Sequence, residues 1–267
     1  MFKIIGELIN TTRKNIKEAV TKKDVAFIQN LVKRQIEAGV RWVDVNGGGR
    51  AGHEEEDMHW LLDVVQEVSG DTPLSLDSPD PKILAMGYKK VNVRPMINSI
   101  SLERNRWNSL LAFLKGKECD VIALCMDDTG LPKSVEDIVS RTERIVSGLT
   151  ETGLDLDSIY IDPIVQPISI NTTKGKIALL AVSNIMGRFA GIHTTSGLSN
   201  ISFGNPKRRL INRSFLSMMI AYGLDSAILD PLDQKMIAAL KTADMLAGND
   251  EYCRNFLNAV RAGIIVD

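Results

Sequence analysis

The segment from Thr194 to Gly204 (TTSGLSNISFG) concentrates side chains that could hold a polar ligand. It carries five hydroxyl groups, one amide and two glycines, and it lies just before Pro206, where we expect a helix to begin. A segment that only closed a turn would need a single glycine or asparagine. We predict that it binds a polar ligand; the alternative is a solvated loop between a strand and a helix.

Polar residues also end most of the apolar, strand-length runs of the sequence. In a closed parallel barrel the loops that follow the strands share one face, and catalytic groups gather there. The same residue types are preferred helix N-caps, so any single one of them could serve only as a cap. Their convergence on one rim favours a binding site. The rim residues are Glu7, Asn10, Asp44, Asn46, Asp77, Ser78, Asn98, Ser99, Asp127, Asp128, Asp162, Ser199 and Asn200.

Eight such runs alternate with segments of helical period, and no linker rich in Ser, Gly or Pro separates them. The alternation predicts an α/β fold, a (β/α)8 TIM barrel, formed by residues 1–267 as a single domain. The clearest predicted helix has Ser134 as its N-cap, and two helices at 232–246 and 252–260 close the chain. The predicted strands are 3–8, 41–46, 73–77, 93–98, 120–126, 158–162, 191–196 and 224–229.

The composition excludes several classes of function. With 32 basic and 33 acidic residues the net charge is −1, which gives no general attraction for nucleic acid or for an anionic membrane. The N-terminus lacks the pattern of a signal peptide and no run approaches membrane-spanning length, so we expect a cytoplasmic protein. Cys119, Cys125 and Cys253 lack CxxC spacing and are expected to be reduced thiols packed in the interior.

Metal and covalent chemistry have little support in the sequence. The histidines His53, His59 and His193 lack HxxxH and HExxH spacing, so we expect no metal ion of the protein's own. His193 lies in an apolar run and is expected to be a hydrogen-bonded core residue. The sequence has no GxSxG elbow, Walker lysine or Cys/His pair, which favours a transfer reaction that depends on positioning and hydrogen bonds.

Two further segments have alternative interpretations. The glycine-rich run 47–52 (GGGRAG) fits a dinucleotide fingerprint, but the acidic run that follows would repel a pyrophosphate, so we favour a flexible loop that lets a large ligand approach its backbone. The run 206–209 (PKRR) places three cations at a predicted helix start, against the helix dipole. Either a carboxylate tail or an acidic partner compensates them, or they are simply solvated.

Seven short motifs, in this order and spacing, identify a resemblance to a known family. They are GELIN (6–10), DVN (44–46), LDS (76–78), INS (97–99), YIDP (160–163), GLSN (197–200) and LINR (210–213). The chain resembles the pterin-binding methyltransferases that pass a methyl group between tetrahydrofolate and a corrinoid protein. The resemblance covers essentially the whole chain. It implies a TIM barrel, a homodimer, no metal ion of its own, and tetrahydrofolate bound at the C-terminal mouth of the strands.

The resemblance also implies roles for individual residues. Asp77, Asn98 and Asp162 match residues that hold the pterin, and Asn200 matches an asparagine near its N5 atom, the catalytic position. A pterin presents an N–H and an amino group side by side, which a carboxylate such as Asp162 can accept together. The remaining predicted pterin contacts are Glu7, Asn10, Asp44, Asn46, Gly197 and Ser199.

The sequence departs from the family pattern at two places. Phe203 replaces a polar amide, and Asp127 stands where asparagine is usual. We predict transfer from a methylcorrinoid protein to tetrahydrofolate. The alternatives are an enzyme like dihydropteroate synthase, which shares the pterin barrel, and a non-catalytic subunit that binds pterin or corrinoid without turnover.

Overall fold

The computed structural model describes residues 2–265 as alternating strands and helices. The eight strands are β1 (Lys3–Asn10), β2 (Trp42–Asn46), β3 (Leu74–Asp77), β4 (Met96–Leu102), β5 (Asp120–Asp127), β6 (Ile159–Asp162), β7 (His193–Thr194) and β8 (Ser226–Leu229). The helices are α1 (Lys14–Lys22), α2 (Val25–Glu37), α3 (Glu54–Ser69), α4 (Pro81–Lys90), α5 (Arg104–Leu114), α6 (Val135–Thr150), α7 (Lys174–Arg188), α8 (Arg208–Ala221), α9 (Gln234–Leu246) and α10 (Arg254–Arg261).

All the strand pairs are parallel, in the order β7-β6-β5-β4-β3-β2-β1-β8. The helices cover the outside of this sheet, and most of the apolar residues are buried between the two layers. Inside the barrel, Trp42 and Tyr160 pack edge to face with ring centroids 5.4 Å apart, together with Ile5, Met96 and Ile122. These large side chains fill the barrel interior, as in other barrels of this type. The predicted (β/α)8 barrel is confirmed.

The last seam of the barrel, between β7 and β8, has a different construction from the others. An isolated bridge joins Gly197 and Ile228, and side chains supply the remaining links. Asp225 accepts a hydrogen bond from the Thr194 backbone N–H at 2.9 Å, and the Ser226 hydroxyl donates to the Thr194 carbonyl at 2.8 Å. Serine and aspartate side chains therefore form some of the hydrogen bonds that join β7 to β8, whereas backbone groups form them elsewhere in the sheet.

Three predicted elements have the wrong bounds, by two to four residues at each end concerned. Strand β4 begins at Met96, after Pro95, because proline cannot donate to a ladder, and it continues past Asn98 to Leu102. Strand β7 has two residues instead of six, since side chains replace its pairing with β8. Helix α8 begins at Arg208 and not at Pro206, because Lys207 adopts a left-handed conformation with φ 56°.

The cysteine prediction is confirmed for two residues and wrong for the third. Cys119 and Cys125 are buried free thiols, and burial raises the pKa of each to about 12, which makes them poor nucleophiles. Cys253 is exposed, because it lies in the short connection between α9 and α10. Of the helices in the described part of the chain, none is both long enough and apolar enough to cross a membrane.

Candidate functional site

The carboxyl ends of neighbouring strands bring the predicted rim residues side by side. Asn46 on β2 is in register with Asp77 on β3, and Asp77 is in register with Asn98 on β4. Asp162 ends β6, two strands further round the barrel. The C-terminal mouth therefore presents a row of carboxylate and amide groups, which we call the mouth cluster: Asp44, Asn46, Asp77, Asn98 and Asp162.

Hydrogen bonds within the mouth cluster fix the orientation of its amides. Asn46 donates from Nδ2 to Asp77 Oδ2 at 2.8 Å, and Asn98 donates from Nδ2 to Asp44 Oδ1 at 3.1 Å. The Ser75 hydroxyl donates to the same Asp44 oxygen at 2.7 Å. Because the Asn98 amide nitrogen is held by Asp44, its Oδ1 remains free to accept a hydrogen bond from a ligand. Asp44 is buried, and its contact with the mouth is through the Asn98 amide that it holds.

The carboxylates at the mouth lie in an environment that disfavours their charged forms. Burial raises the pKa of Asp44 well above its ordinary value, and the nearby charge of Asp77 raises it further. Burial also raises the pKa of Asp77, although hydrogen bonding from Asn46 and the charge of Arg106 oppose the rise. Within residues 2–265, neither carboxylate forms an ion pair with a basic side chain. Such buried acids are typical of functional sites.

Asp162 is held by two backbone N–H groups. Ile164 donates to Oδ1 at 2.7 Å and Gly197 donates to Oδ2 at 3.3 Å. Burial raises the pKa of Asp162 to about 6, against the effect of these two bonds. Ile164 has φ 62°, which is unusual for a β-branched residue, and this conformation accompanies the bond from its N–H to Asp162.

Gly197 links Asp162 to the turn that carries Asn200, a 3-10 helix at Leu198–Ser202. A side chain at Gly197 would place its Cβ 3.4 Å from Asn200 Nδ2, so the Asn200 amide lies directly beside this link. Ser199 and Asn200 are both exposed at the mouth. The Asp162 carboxylate and the Asn200 amide are therefore neighbours across a single glycine.

The opening interpretation of the segment from Thr194 to Gly204 needs correction for most of its hydroxyl groups. Thr194, Thr195, Ser196 and Ser202 are buried, because the chain enters the barrel seam before it reaches the surface. The Ser202 hydroxyl donates to the Ser199 carbonyl at 3.2 Å, within the turn. Of the five hydroxyl groups, only that of Ser199 is exposed to a ligand.

Two predicted contact residues on β1 have partners within the protein. Asn10 Oδ1 accepts from the backbone N–H of Thr12 at 2.9 Å and from its hydroxyl at 2.6 Å, as a local cap. Glu7 forms an ion pair with Arg13, and burial raises the pKa of Glu7 despite that pair. Glu7 also lines a recess of about 160 Å³ that Ser199 shares. Glu7 therefore lies at the site, whereas the side-chain oxygen of Asn10 is used within its own turn.

The glycine-rich run 47–52 approaches the protein's own backbone at Gly49. A Cβ at Gly49 would lie 2.0 Å from the Thr11 carbonyl oxygen, and the Gly49 N–H donates to the Thr11 hydroxyl at 2.6 Å. The Gly48 N–H donates to Asn46 Oδ1 at 2.8 Å, and Arg50 pairs with the buried Asp57. The flexible loop that we expected is tied at three points. Since two of its N–H groups are already bonded, it is not a phosphate cradle either.

Several residues of the mouth were not predicted from the sequence. Ser75 donates to Asp44 and the Ile164 backbone N–H donates to Asp162, and no sequence motif predicts either hydrogen bond. Arg106 on α5 donates from Nε to the Ser99 carbonyl at 3.0 Å and from Nη2 to the Ser78 carbonyl at 3.0 Å. Arg208 donates to the Ser199 carbonyl at 2.8 Å and so holds the turn of Asn200. Only Arg208, as part of a basic run, carried a signal in the sequence.

The other predicted rim residues have structural roles. Asp127 pairs with Arg141 at 3.3 Å and Arg144 at 3.4 Å, and Asp128 accepts the Arg104 backbone N–H at 3.2 Å. These acids cap and brace the loop after β5. Among residues 2–265, no group of three or more His, Cys, Asp or Glu side chains is placed to hold a metal ion.

The chain is similar to pterin enzymes in sequence. A methylcorrinoid:tetrahydrofolate methyltransferase of Eubacterium limosum is 36% identical over 264 residues, which are 98% of this chain and 97% of that protein. The methionine synthase of Mycobacterium tuberculosis (strain ATCC 25618 / H37Rv) is 31% identical over 240 residues, which are 84% of this chain and 20% of that protein.

Solved structures share the fold at low sequence identity. A dihydropteroate synthase of Coxiella burnetii in complex with pteroic acid has a TM-score of 0.73 and 13% identity, covering 93% of this chain and 94% of that one. The dihydropteroate synthase of Thermus thermophilus has a TM-score of 0.69 and 13% identity, covering 92% and 94%. Residues 6–230 match the family model described as "Pterin binding enzyme". The chain therefore belongs to the family of pterin binding enzymes.

Proposed function

We propose that this protein is a methyltransferase that moves a methyl group from a corrinoid protein to N5 of tetrahydrofolate. One observation carries the proposal: the buried acceptors Asn98 and Asp162 and the half-buried Asp77 lie at the same mouth as the exposed amide of Asn200. The name of the Eubacterium limosum relative, which matches almost end to end, supports the same reaction and the same direction.

The proposed pterin contacts follow from the hydrogen-bonding capacity of each group. Asp162 keeps lone pairs beyond the two backbone N–H bonds that it accepts, and these suit the adjacent N–H and amino donors of a pyrimidine edge. Asn98 offers its free Oδ1, since Asp44 holds its Nδ2. An analogue without these donors would leave buried acceptors unpaired, which is costly in free energy. Gly197 and Ser199 complete the proposed contact surface near Asn200.

The transfer step is a nucleophilic displacement at the methyl carbon. The N5 lone pair forms a bond to the methyl group, the carbon–cobalt bond breaks, and its electron pair stays on cobalt, which leaves as cobalt(I). N5 gains positive charge in this step and then releases its proton to water. Asn200 Oδ1 can accept a hydrogen bond from the N5 proton or hold the water that takes it, so the amide stabilises charge that appears in the transition state.

Asn200→Ala tests this role. We expect methyl transfer to fall by about 100-fold or more, whereas the Kd for tetrahydrofolate changes by less than about threefold, because the amide acts mainly in the transition state. The reaction is followed anaerobically by the cobalt(I) absorbance with methylcobalamin as donor. The matched control is Asn184→Ala on α7, whose amide donates only to its own helix at Leu180. Equal losses of binding and transfer would make Asn200 a binding residue.

The same assay separates the rival functions. Folate binding without methyl exchange, from free methylcobalamin or from any corrinoid protein, would indicate a non-catalytic docking subunit. Condensation of a pterin pyrophosphate with p-aminobenzoate, measured in parallel, would indicate a dihydropteroate synthase. The likeness to solved dihydropteroate synthases concerns the fold alone, at 13–15% identity.

We further propose that the protein is a single domain, acts in the cytoplasm, uses no metal ion of its own and forms a homodimer. The exposed apolar residues on α8 and at its C-cap support the dimer: Leu210 is 64% exposed, Met218 50% and Tyr222 41%. They border a groove of about 610 Å³ between α7 and α8, and apolar patches of this kind are typical of protein interfaces. Light scattering after gel filtration measures the mass. Met218→Lys should yield monomers if this face forms the dimer.

A further inference from the structure

We propose that Phe203, Lys207 and Arg209, which we call the rim patch, form the docking surface for the acidic face of the corrinoid-carrying protein. The inference rests on the proposed methyl transfer, because a cobalt-bound methyl group must be brought to Asn200. Phe203 directly follows the 3-10 helix of Asn200, and its backbone N–H donates to the Asn200 carbonyl at 3.1 Å. A protein that delivers the methyl group to Asn200 therefore has to cover this patch.

The side chains of the rim patch are exposed, although Arg208 lies near the Phe203 ring and Arg209 lines the recess that Glu7 and Ser199 share. Phe203 is 65% exposed, although it is a large apolar side chain at the edge of a polar mouth. Within the described residues 2–265, neither Lys207 nor Arg209 forms an ion pair, and the first turn of α8 contains no acidic residue. Cations at a helix N-terminus are unfavourable beside the helix dipole. An acidic partner would remove this cost.

Arg208, in contrast, is already engaged in the protein. It donates to the Ser199 carbonyl at 2.8 Å and to the Ser202 hydroxyl at 3.0 Å, and its guanidinium lies 5.9 Å from the centre of the Phe203 ring. Arg208 thus fixes the turn and supports the exposed ring, although it is itself exposed, like the cations on either side of it in sequence.

The combination of apolar and basic groups favours a protein over the glutamate tail of folate. A carboxylate tail would neutralise Lys207 and Arg209 but would leave Phe203 exposed. An acidic protein surface with an apolar centre would cover both, and exposed aromatic residues flanked by charge are typical anchors of protein interfaces. The rim patch lies beside the carboxylates of the mouth cluster, and it is a local basic feature on a chain with net charge −1.

The test compares free and protein-bound methyl donors. Phe203→Ser should lower kcat/KM with a methylated corrinoid protein by about tenfold or more, since aromatic anchors dominate interface energies. Lys207→Glu should lower it by about fivefold, and the loss should shrink as ionic strength rises. With free methylcobalamin, both variants should transfer methyl at the wild-type rate. Matched controls are Tyr252→Ser, an exposed aromatic near the C-terminus, and Lys89→Glu on α4.

Four outcomes would overturn the docking surface. In the first, the wild-type protein turns over free methylcobalamin as fast as every corrinoid protein. In the second, the variants lose the same fraction of kcat/KM with both donors. In the third, Lys207→Glu raises the KM for tetrahydrofolate, and in the fourth, either variant changes its oligomeric state. The third would assign the cations to the folate tail, and the fourth would assign Phe203 to the dimer. If the wild-type protein transfers methyl from no donor, the proposed function itself fails.

Discussion

The two ends of the barrel hold their buried charges in different ways. At the mouth, Asp44, Asp77 and Asp162 are bonded only by neutral donors, which are hydroxyl, amide and backbone N–H groups, whereas Glu7 pairs with Arg13. At the floor, where the strands begin, the acids Asp120, Asp157 and Asp225 have basic partners. Asp120 pairs with Arg94 at 2.8 Å.

His193 is the centre of the floor. Its ring lies between Asp225 and Asp157, with Asp157 Oδ1 at 2.8 Å from Nε2, and Lys3 lies 2.9 Å from the same ring nitrogen. Burial alone would lower the pKa of His193, but its hydrogen bonds to Asp225 and Asp157 raise it. The predicted core histidine is half-buried and belongs to this charged network.

The difference indicates which end holds structure and which end is left for a ligand. A charged network whose members pair with one another contributes to the fold, and removing one member leaves the other unpaired. Buried acids that lack a cation carry unused capacity to accept hydrogen bonds. On this basis we expect the mouth to control folate affinity and the floor to control stability.

The largest effect should come from Asp162→Asn. Loss of the carboxylate removes charge-assisted bonds worth about 2–3 kcal/mol, so the Kd for tetrahydrofolate should rise by about 100-fold. Anaerobic isothermal titration calorimetry measures the change. Asp120→Asn at the floor is the control, and it should leave the Kd unchanged while it lowers the free energy of unfolding. A Kd for Asp162→Asn within about threefold of the wild-type value would break the comparison.

Folate affinity, which depends on the mouth, should rise with pH. The contribution of the floor to the free energy of unfolding should fall with pH. The pKa of Asp162 is raised to about 6, and under the proposed function its ionised form accepts the pterin donors. Folate affinity should therefore be full above about pH 7 and fall by up to about tenfold per pH unit below about pH 6. Calorimetric titrations between about pH 5 and 8 test this. Asp162→Asn should give a flat profile, and an unchanged slope in that variant would assign the titration to another group.

His193→Gln should affect stability without affecting folate affinity. The lost hydrogen bonds are worth about 1–3 kcal/mol in the free energy of unfolding, measured by urea denaturation. Because the folded-state pKa of His193 is raised, its contribution is complete below pH 6.5 and is lost as the pH rises through the folded value. The variant should lack this dependence. A change in folate Kd above about threefold would contradict the division between the two ends.

Ser75→Ala should have the smallest effect. Asp44 loses one donor, and the Asn98 amide is held less firmly, so folate affinity should fall by about fivefold, near 1 kcal/mol. Ser101→Ala is a suitable control, because its buried hydroxyl on β4 donates to Glu103 at 2.8 Å and does not contact the mouth cluster. Equal effects of the two substitutions would mean that Ser75 is only a packing residue.

Much of the fold could be predicted from the sequence because both periodic patterns are strong. The sequence repeats apolar, strand-length runs that end in acids, each followed by a helix with one apolar stripe. This pattern predicts the barrel even where the exact ends of the elements are not known. The ends of β4, β7 and α8 were less predictable, since they depend on Pro95, on side chains across the seam and on the backbone of Lys207.

The sequence predicted which residues lie on the rim of the candidate site, but not which hydrogen bonds each of them forms. Motif and strand-end location placed Asp77, Asn98 and Asp162 on one rim. The sequence could not indicate that Asp44 holds the Asn98 amide, because that contact joins residues 54 positions apart. Nor could it indicate that four of the five hydroxyl groups in the segment from Thr194 to Gly204 are buried. Their orientation depends on how the seam closes.

The seam between β7 and β8 is also the place where the sheet is expected to open locally. One isolated bridge and a few side-chain bonds hold it, so opening there costs less than opening any boundary that has a continuous ladder. The turn of Asn200 follows directly after this seam. The exposed Asn200 amide is thus attached to the edge of the sheet that has the fewest backbone bonds, and a movement of its turn would also release the Gly197 N–H from Asp162.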